Sequence, residues 1–293
     1  MKTLKITRND IDNGRYVGKE DVTDFQGNIE IDEGLGWVKF DKFLRATGYI
    51  YAKAGSGITA GEGITAGEGI TAGEGIKAGS GVQAGWGITA GEGIKAGSGI
   101  TAGEGIKAGS GVQAGWGITA GWGITAGEGI KAGEGIKAGS GITAGWGITA
   151  GEGITAGEGI KAGSGIKAGS GITAGWGITA GEGIKAGSGI TAGEGITAGS
   201  GITAGEGITA GEGIKCKLTL SFKYRLFAGT ATYRSVKDEK KTVVCGKLNG
   251  GVVCYGEVTE TGIDVVTNDH SELKAGIEAL EIELAKTKKE LGE

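Results

Sequence analysis

The chain of 293 residues holds 68 glycines, no proline and three cysteines, and its formal charge is −4. That charge excludes a polycation built for nucleic acid, and the lack of proline and of glycine at every third position excludes collagen. The odd, low cysteine count (Cys216, Cys245, Cys254) fits a reducing compartment better than a disulfide-built secreted domain.

The start, Met1-Lys2-Thr3-Leu4-Lys5 followed by Arg8, Asn9 and Asp10, has no apolar signal core, and no stretch reaches transmembrane length. Within residues 1–51, Ile29-Glu30-Ile31 and Val38-Lys39-Phe40 alternate as strands do, with Trp37, Phe43 and Leu44 supplying bulk. This region is expected to be a β-rich N-terminal cap.

Residues 52–215 form a repeat array. The word [Ile/Val]-x-Ala-Gly-x-Gly runs without a break from Ile58 to Gly213 in 26 complete copies, preceded by a degenerate copy (Ala52–Gly57) and closed by Ile214-Lys215-Cys216. An aliphatic residue every six positions argues for order, because burying each such side chain stabilises by roughly 1.5–3 kcal/mol. In Ile58-Thr59-Ala60-Gly61-Glu62-Gly63, Ile58 and Ala60 share parity, so an extended segment points both inward and Thr59 outward. The two glycines bracket a corner, which positive φ at glycine would turn at low cost. The fifth position holds Glu, Ser or Trp and is expected to face water. From Ala52 to Gly213 there are 13 Glu and 9 Lys, which accounts for the whole net charge.

Trp86, Trp116, Trp146 and Trp176 lie 30 residues apart, or five words. Five is divisible by neither two nor three, the usual words per coil, so this longer period reads as a trace of duplication. Two or three words per coil both remain open, giving a rod of about 62 or 43 Å at about 4.8 Å per layer. Rungs of this kind touch only their neighbours, and the ends need caps.

Residues 216–266 are expected to form an antiparallel β module. Leu218, Leu220, Phe222, Tyr224 and Leu226 alternate with polar residues, and Thr242–Cys245 and Val252–Tyr255 flank Asn249-Gly250-Gly251, a hairpin signal. In residues 267–293, Leu273, Ile277, Leu280, Leu284 and Leu291 fall on an a/d heptad pattern, and Asp269 with Glu272 fits a capping box. This amphipathic helix either docks on the β module or self-associates into a dimer or trimer.

Catalytic signals are few. The string Gly61-Glu62-Gly63-Ile64-Thr65-Ala66-Gly67 superficially matches a nucleotide loop, but it recurs along the array and no helix follows it. The single histidine, His270, sits at the foot of the terminal helix and reads as a capping or surface residue. The cysteines lack zinc spacing and read as buried thiols, with Cys245 and Cys254 on facing strands of the hairpin. No Asp in the array serves calcium. No catalytic, cofactor or metal residue is assigned. Lys and Gln interrupt the threonines of the second position, which weakens an ice-binding reading.

On its six-residue word the array resembles the hexapeptide-repeat β-helices, in which three short strands make one triangular coil. The resemblance implies an all-β β-solenoid. The acyltransferases of that family use a histidine near the coils, and none occurs in this array. In style the chain also resembles phage or prophage proteins. The expectation is a non-enzymatic, oligomeric interaction protein that binds or blocks a macromolecular partner, such as a host defence or nucleic-acid enzyme. It would act in the host cytoplasm, without a membrane and without binding nucleic acid directly. A structural fibre or adhesin element of a virion or cell surface is the alternative, and an ice-binding protein a minor one. The candidate contacts are Trp86, Trp116, Trp122, Trp146 and Trp176; the bland option is that each indole covers bare glycine backbone on its own rung.

Overall fold

The computed structural model describes residues 1–230 and 241–262. It divides the chain into Met1–Thr261 and Gly262–Glu293. The heptad segment, with Leu273, Ile277, Leu280, Leu284, Leu291 and His270, lies outside the described residues.

Met1–Thr261 is an all-β β-solenoid of about 12 turns. Each word supplies one three-residue strand, and each strand pairs in parallel with the strand 18 residues on: Ile70 faces Ile88, Thr71 faces Thr89, Ala72 faces Ala90. Three words therefore close one turn, which settles the choice between two and three. We number the faces from consecutive strands: face 1 contains Ile70–Ala72, face 2 Ile76–Ala78 and face 3 Val82–Ala84. The edges between them are 1/2, 2/3 and 3/1.

Parity does what the sequence requires. The aliphatic and alanine positions of the array are buried at 0–8 % exposure, stacked like on like along each face. An in-register ladder keeps every layer the same width, so one Ile and one Ala per strand fill the interior with no larger side chain.

The corner glycines act through space rather than through φ. No described array glycine between Gly57 and Gly213 adopts positive φ; such glycines occur earlier, as at Gly34, Gly36 and Gly55, and later, as at Gly229 and Gly250. The fourth-position glycine is needed because the previous turn passes so close. A Cβ on Gly79 would stand 1.9 Å from the Gly61 carbonyl oxygen, and one on Gly139 1.9 Å from that of Gly121. Sixth-position glycines are looser: a Cβ on Gly141 would meet the Gly159 carbonyl at 3.2 Å. The expectation of left-handed corners is therefore replaced by one of close backbone approach.

The coil does not begin at residue 52. Lys2–Ile6, Gly27–Ile31 and Ile50–Ala52 are successive layers of face 1, and Gly36–Phe40 lies under Ser56–Ala60 on face 2. The N-terminal end is closed by a 3-10 turn at Arg8–Asp10, where Thr7 donates from both its amide and its hydroxyl to the Asp10 carboxylate (2.9 and 2.9 Å), and by buried Val22 and Phe25.

The C-terminal module differs from the expected antiparallel hairpin. Thr219–Ala228 is one long strand that rounds edge 2/3, placing Leu220 over Ile202 and Leu226 over Ile208. Lys247–Tyr255 pairs with it in parallel, and Glu257–Glu260 pairs in parallel with Thr242–Cys245. Asn249-Gly250-Gly251 lies inside a strand. The solenoid ladder offers a ready edge to pair with, and this overrides the local turn signal. Cys245 and Cys254 consequently do not face each other: Cys216 and Cys245 are buried, and Cys254 is exposed.

Candidate interaction surfaces

With three words per turn, the outward second positions fall into three separate columns. Face 1 carries Thr71, Thr89, Lys107, Thr125, Thr143, Lys161, Thr179 and Thr197. Face 2 carries Thr59, Lys77, Lys95, Gln113, Lys131, Thr149, Lys167, Lys185 and Thr203. Face 3 carries Thr65, Gln83, Thr101, Thr119, Lys137, Thr155, Thr173, Thr191 and Thr209. Lysine thus gathers on face 2, while face 3 is nearly all threonine and has an unbroken run from Thr155 to Thr209. The interruptions that looked frequent along the chain are sorted by the winding.

The fifth positions form ladders down the edges through amide-to-carbonyl bonds. Edge 3/1 reads Glu68, Trp86, Glu104, Trp122, Ser140, Glu158, Trp176, Glu194, Glu212, with successive N···O distances of 3.1–3.3 Å. Edge 2/3 holds Trp116 between Ser98 and Glu134, and edge 1/2 holds Trp146 between Glu128 and Ser164. The 30-residue period steps tryptophan from edge to edge, and Trp122 brings a third indole to edge 3/1. The five indoles are 55–64 % exposed.

One tryptophan outside the array shows the covering arrangement. Trp37, in the face 2 strand under Ser56–Ala60, is half-buried and lies across the glycines of the next two layers. Its ring stands 3.0 Å from a Cβ position on Gly57 and 2.7 Å from one on Gly75. The Lys77 ammonium sits 4.0 Å from its ring centroid, a cation–π contact. In the sequence Trp37 reads only as cap bulk; its register position opposite Gly57 is the signal of this seat, visible only once the turn length is known.

Trp37 and Lys77 stand at the head of a trough of about 480 Å³ on face 2. The trough runs on past Lys95, Gln113 and Lys131, with Glu92 and Glu128 along its rim. A second hollow, lined by Lys167, Glu182 and Lys185, continues it. Lys95, Lys131, Lys167 and Lys185 on face 2, and Glu68, Glu104, Glu158 and Glu194 on edge 3/1, make no ion pair with any described residue.

Among the described residues no group of three metal-ligating side chains comes together. Cys216 sits beneath the final turns, and burial is the first cause that pushes its thiol up to about 11, with Cys245 next to it adding to the shift. Burial also raises Cys245. A thiol held protonated is a poor nucleophile. No described helix is long and apolar enough to cross a membrane. No protein-family model, curated protein or solved structure matches the chain.

Proposed function

We propose that this β-solenoid is a non-enzymatic interaction protein that binds, and by binding blocks, a macromolecular protein partner. The observation that carries the reading is the contrast between half-buried Trp37 and the five array indoles, each more than half exposed. Exposed aromatics on a rigid scaffold lose little entropy on contact and are favoured at binding hot spots. The array indoles leave their apolar area to a partner. A phage or prophage origin, and action in the host cytoplasm or on a virion, belong to this same proposal.

The test is capture from host lysate with the wild-type chain and with a variant carrying Trp86→Ser, Trp116→Ser, Trp122→Ser, Trp146→Ser and Trp176→Ser. Loss of specific partners from the variant supports the reading, and an identical partner set overturns it. Face 3 favours a second reading, ice binding, because its threonine run is longer than the sequence suggested. Thermal hysteresis in the wild type that disappears in Thr173→Tyr would favour it over protein contact.

A further inference from the structure

Edge 3/1 and face 2 lie on opposite sides of the three-sided coil. One presents glutamate and tryptophan and no lysine; the other presents five lysines and no carboxylate in its column. We propose that they are complementary surfaces of one self-association: edge 3/1 of one rod seats in the face 2 trough of a second, parallel copy. The proposal deepens the contact reading above and rests on it, naming a second copy as the occupant of this edge.

Three observations carry it. First, the trough already accepts an indole. Trp37 lies flat across Gly57 and Gly75 with Lys77 over its ring, and the same glycine-and-lysine lattice continues beyond it with no side chain in that place. Second, Lys95, Lys131, Lys167 and Lys185 on the face, and Glu68, Glu104, Glu158 and Glu194 on the edge, make no ion pair with any described residue. Third, the two columns match in register. When each edge residue meets the face residue nine positions further along, half an 18-residue turn, every face 2 lysine of the array finds a partner. Glu68 meets Lys77, Trp86 meets Lys95, Trp122 meets Lys131, Glu158 meets Lys167 and Trp176 meets Lys185. The remaining glutamates, Glu104, Glu194 and Glu212, meet Gln113, Thr203 and Ser221, so the edge column sets no glutamate against a carboxylate of the face 2 column. The opposite offset of nine leaves Lys131 level with Ser140 and Trp122 level with Gln113.

The contact is heterologous: one copy gives an edge and receives at a face. Because the two surfaces point in opposite directions, it propagates in a row instead of closing into a ring. Each Glu–Lys pair and each Trp–Lys pair is modest alone, and repetition along the rod supplies the strength.

Sedimentation velocity of the purified full chain over a concentration series tests this. Trp86→Ser/Trp122→Ser/Trp176→Ser removes the edge, and Lys95→Glu/Lys131→Glu/Lys185→Glu removes the face. Each variant alone should need at least tenfold higher concentration to form rows. An equimolar mixture of the two should form capped pairs, because one contributes an intact face and the other an intact edge. Lys107→Glu/Lys161→Glu, on face 1, should behave as wild type. Glu158→Lys and Lys167→Glu should each weaken the rows, and the double variant should restore them, because in this register the two residues meet between copies. Far-ultraviolet dichroism establishes that each variant keeps the coil. Association unchanged by both the edge and the face variants, absence of any concentration-dependent association in the wild type, or a Glu158→Lys/Lys167→Glu variant no better than either single change would overturn the proposal. Partner capture from lysate is read separately and survives or fails by itself.

Discussion

In the first turns nearly every polar side chain that packs has a designated partner. Tyr49 donates its hydroxyl to Glu30 (2.7 Å), Lys53 pairs with Asp32 (2.8 Å), and Ser56, the one buried polar side chain among the described residues, accepts from the Leu35 amide (3.0 Å) and donates to the Asp32 carbonyl (2.6 Å). From Ile58 to Ala192 no side chain makes a hydrogen bond or ion pair with a described residue, and Lys77 over the Trp37 ring is the one cation–π contact; the array stands on its backbone ladder and its stacked Ile and Ala. The difference concerns register. In the array a slip of 18 residues restores the same core contacts, so nothing there says which layer is which. The N-terminal turns break that symmetry with irregular corners and specific bonds. They fix where winding begins, and the array propagates it.

The largest expected effect breaks the array at its narrowest point. Gly139→Ala places a methyl 1.9 Å from the Gly121 carbonyl, against backbone that is itself held in the ladder. The cost should exceed the ordinary overpacking range of about 1–3 kcal/mol. Gly141→Ala, two residues on with 3.2 Å of clearance, should change stability by less than about 1 kcal/mol, since a small clash is offset by lower entropy of the unfolded chain. Thermal unfolding followed by far-ultraviolet dichroism compares the two. Equal effects would mean that the corner is not set by close approach.

The next effect falls on the N-terminal turns. Ser56→Ala leaves the Leu35 amide and one Asp32 carbonyl bond unmade in a buried place and should cost about 1–3 kcal/mol. An array Thr→Ala change such as Thr125→Ala, exposed and without a hydrogen-bond partner, should cost within about 0.5 kcal/mol. If the two costs are the same, the N-terminal turns are no more specified than the rungs.

The sequence made the array legible because a six-residue word with Ile and Ala at equal parity has one economical answer, a wound ladder with both inside. It did not reveal how that ladder ends. Asn249-Gly250-Gly251 carries every local mark of a hairpin, yet the open edge of Thr219–Ala228 captures the following segment as a parallel strand. Local turn chemistry is weaker than a preformed template. The six-residue word marks the corner glycines without showing why they are needed, since closeness between turns cannot be seen one word at a time. The surface pattern was equally hidden. Lys77 and Lys95 are neighbours on face 2 although 18 residues apart, and only the number of words per turn brings them together. The five indoles were legible as exposed, while Trp37, the one that is seated, was not.

The cysteines sharpen the comparison at the other end. Folding favours the protonated thiol at Cys216, whose value rises from 9.0 to about 11. The folded-state value is the higher one. That contribution to stability is therefore present in full below about pH 9 and lost as pH rises through about 11. At pH 8, maleimide should label exposed Cys254 first, with Cys216 and Cys245 lagging by at least tenfold until the coil is unfolded. Equal labelling of all three would show that the last turns open readily.

The smallest effect expected is also the most telling about what the array is. Deleting residues 124–141 removes one turn and returns Ile142 to the seat of Ile124 on face 1, so every later side chain keeps its face. Stability should change by no more than the loss of one rung among many, and the lysine column of face 2 stays aligned. Deleting only residues 124–129 preserves the core equally well, because any word fits any seat. It rotates everything downstream by one face, sending Lys131, Lys167 and Lys185 to face 1. Both deletions should therefore melt together and give the same dichroism, while only the shorter one loses the alignment of edge and face. A shorter deletion that also fails to fold would show that the words are not interchangeable and that the faces differ inside as well as out.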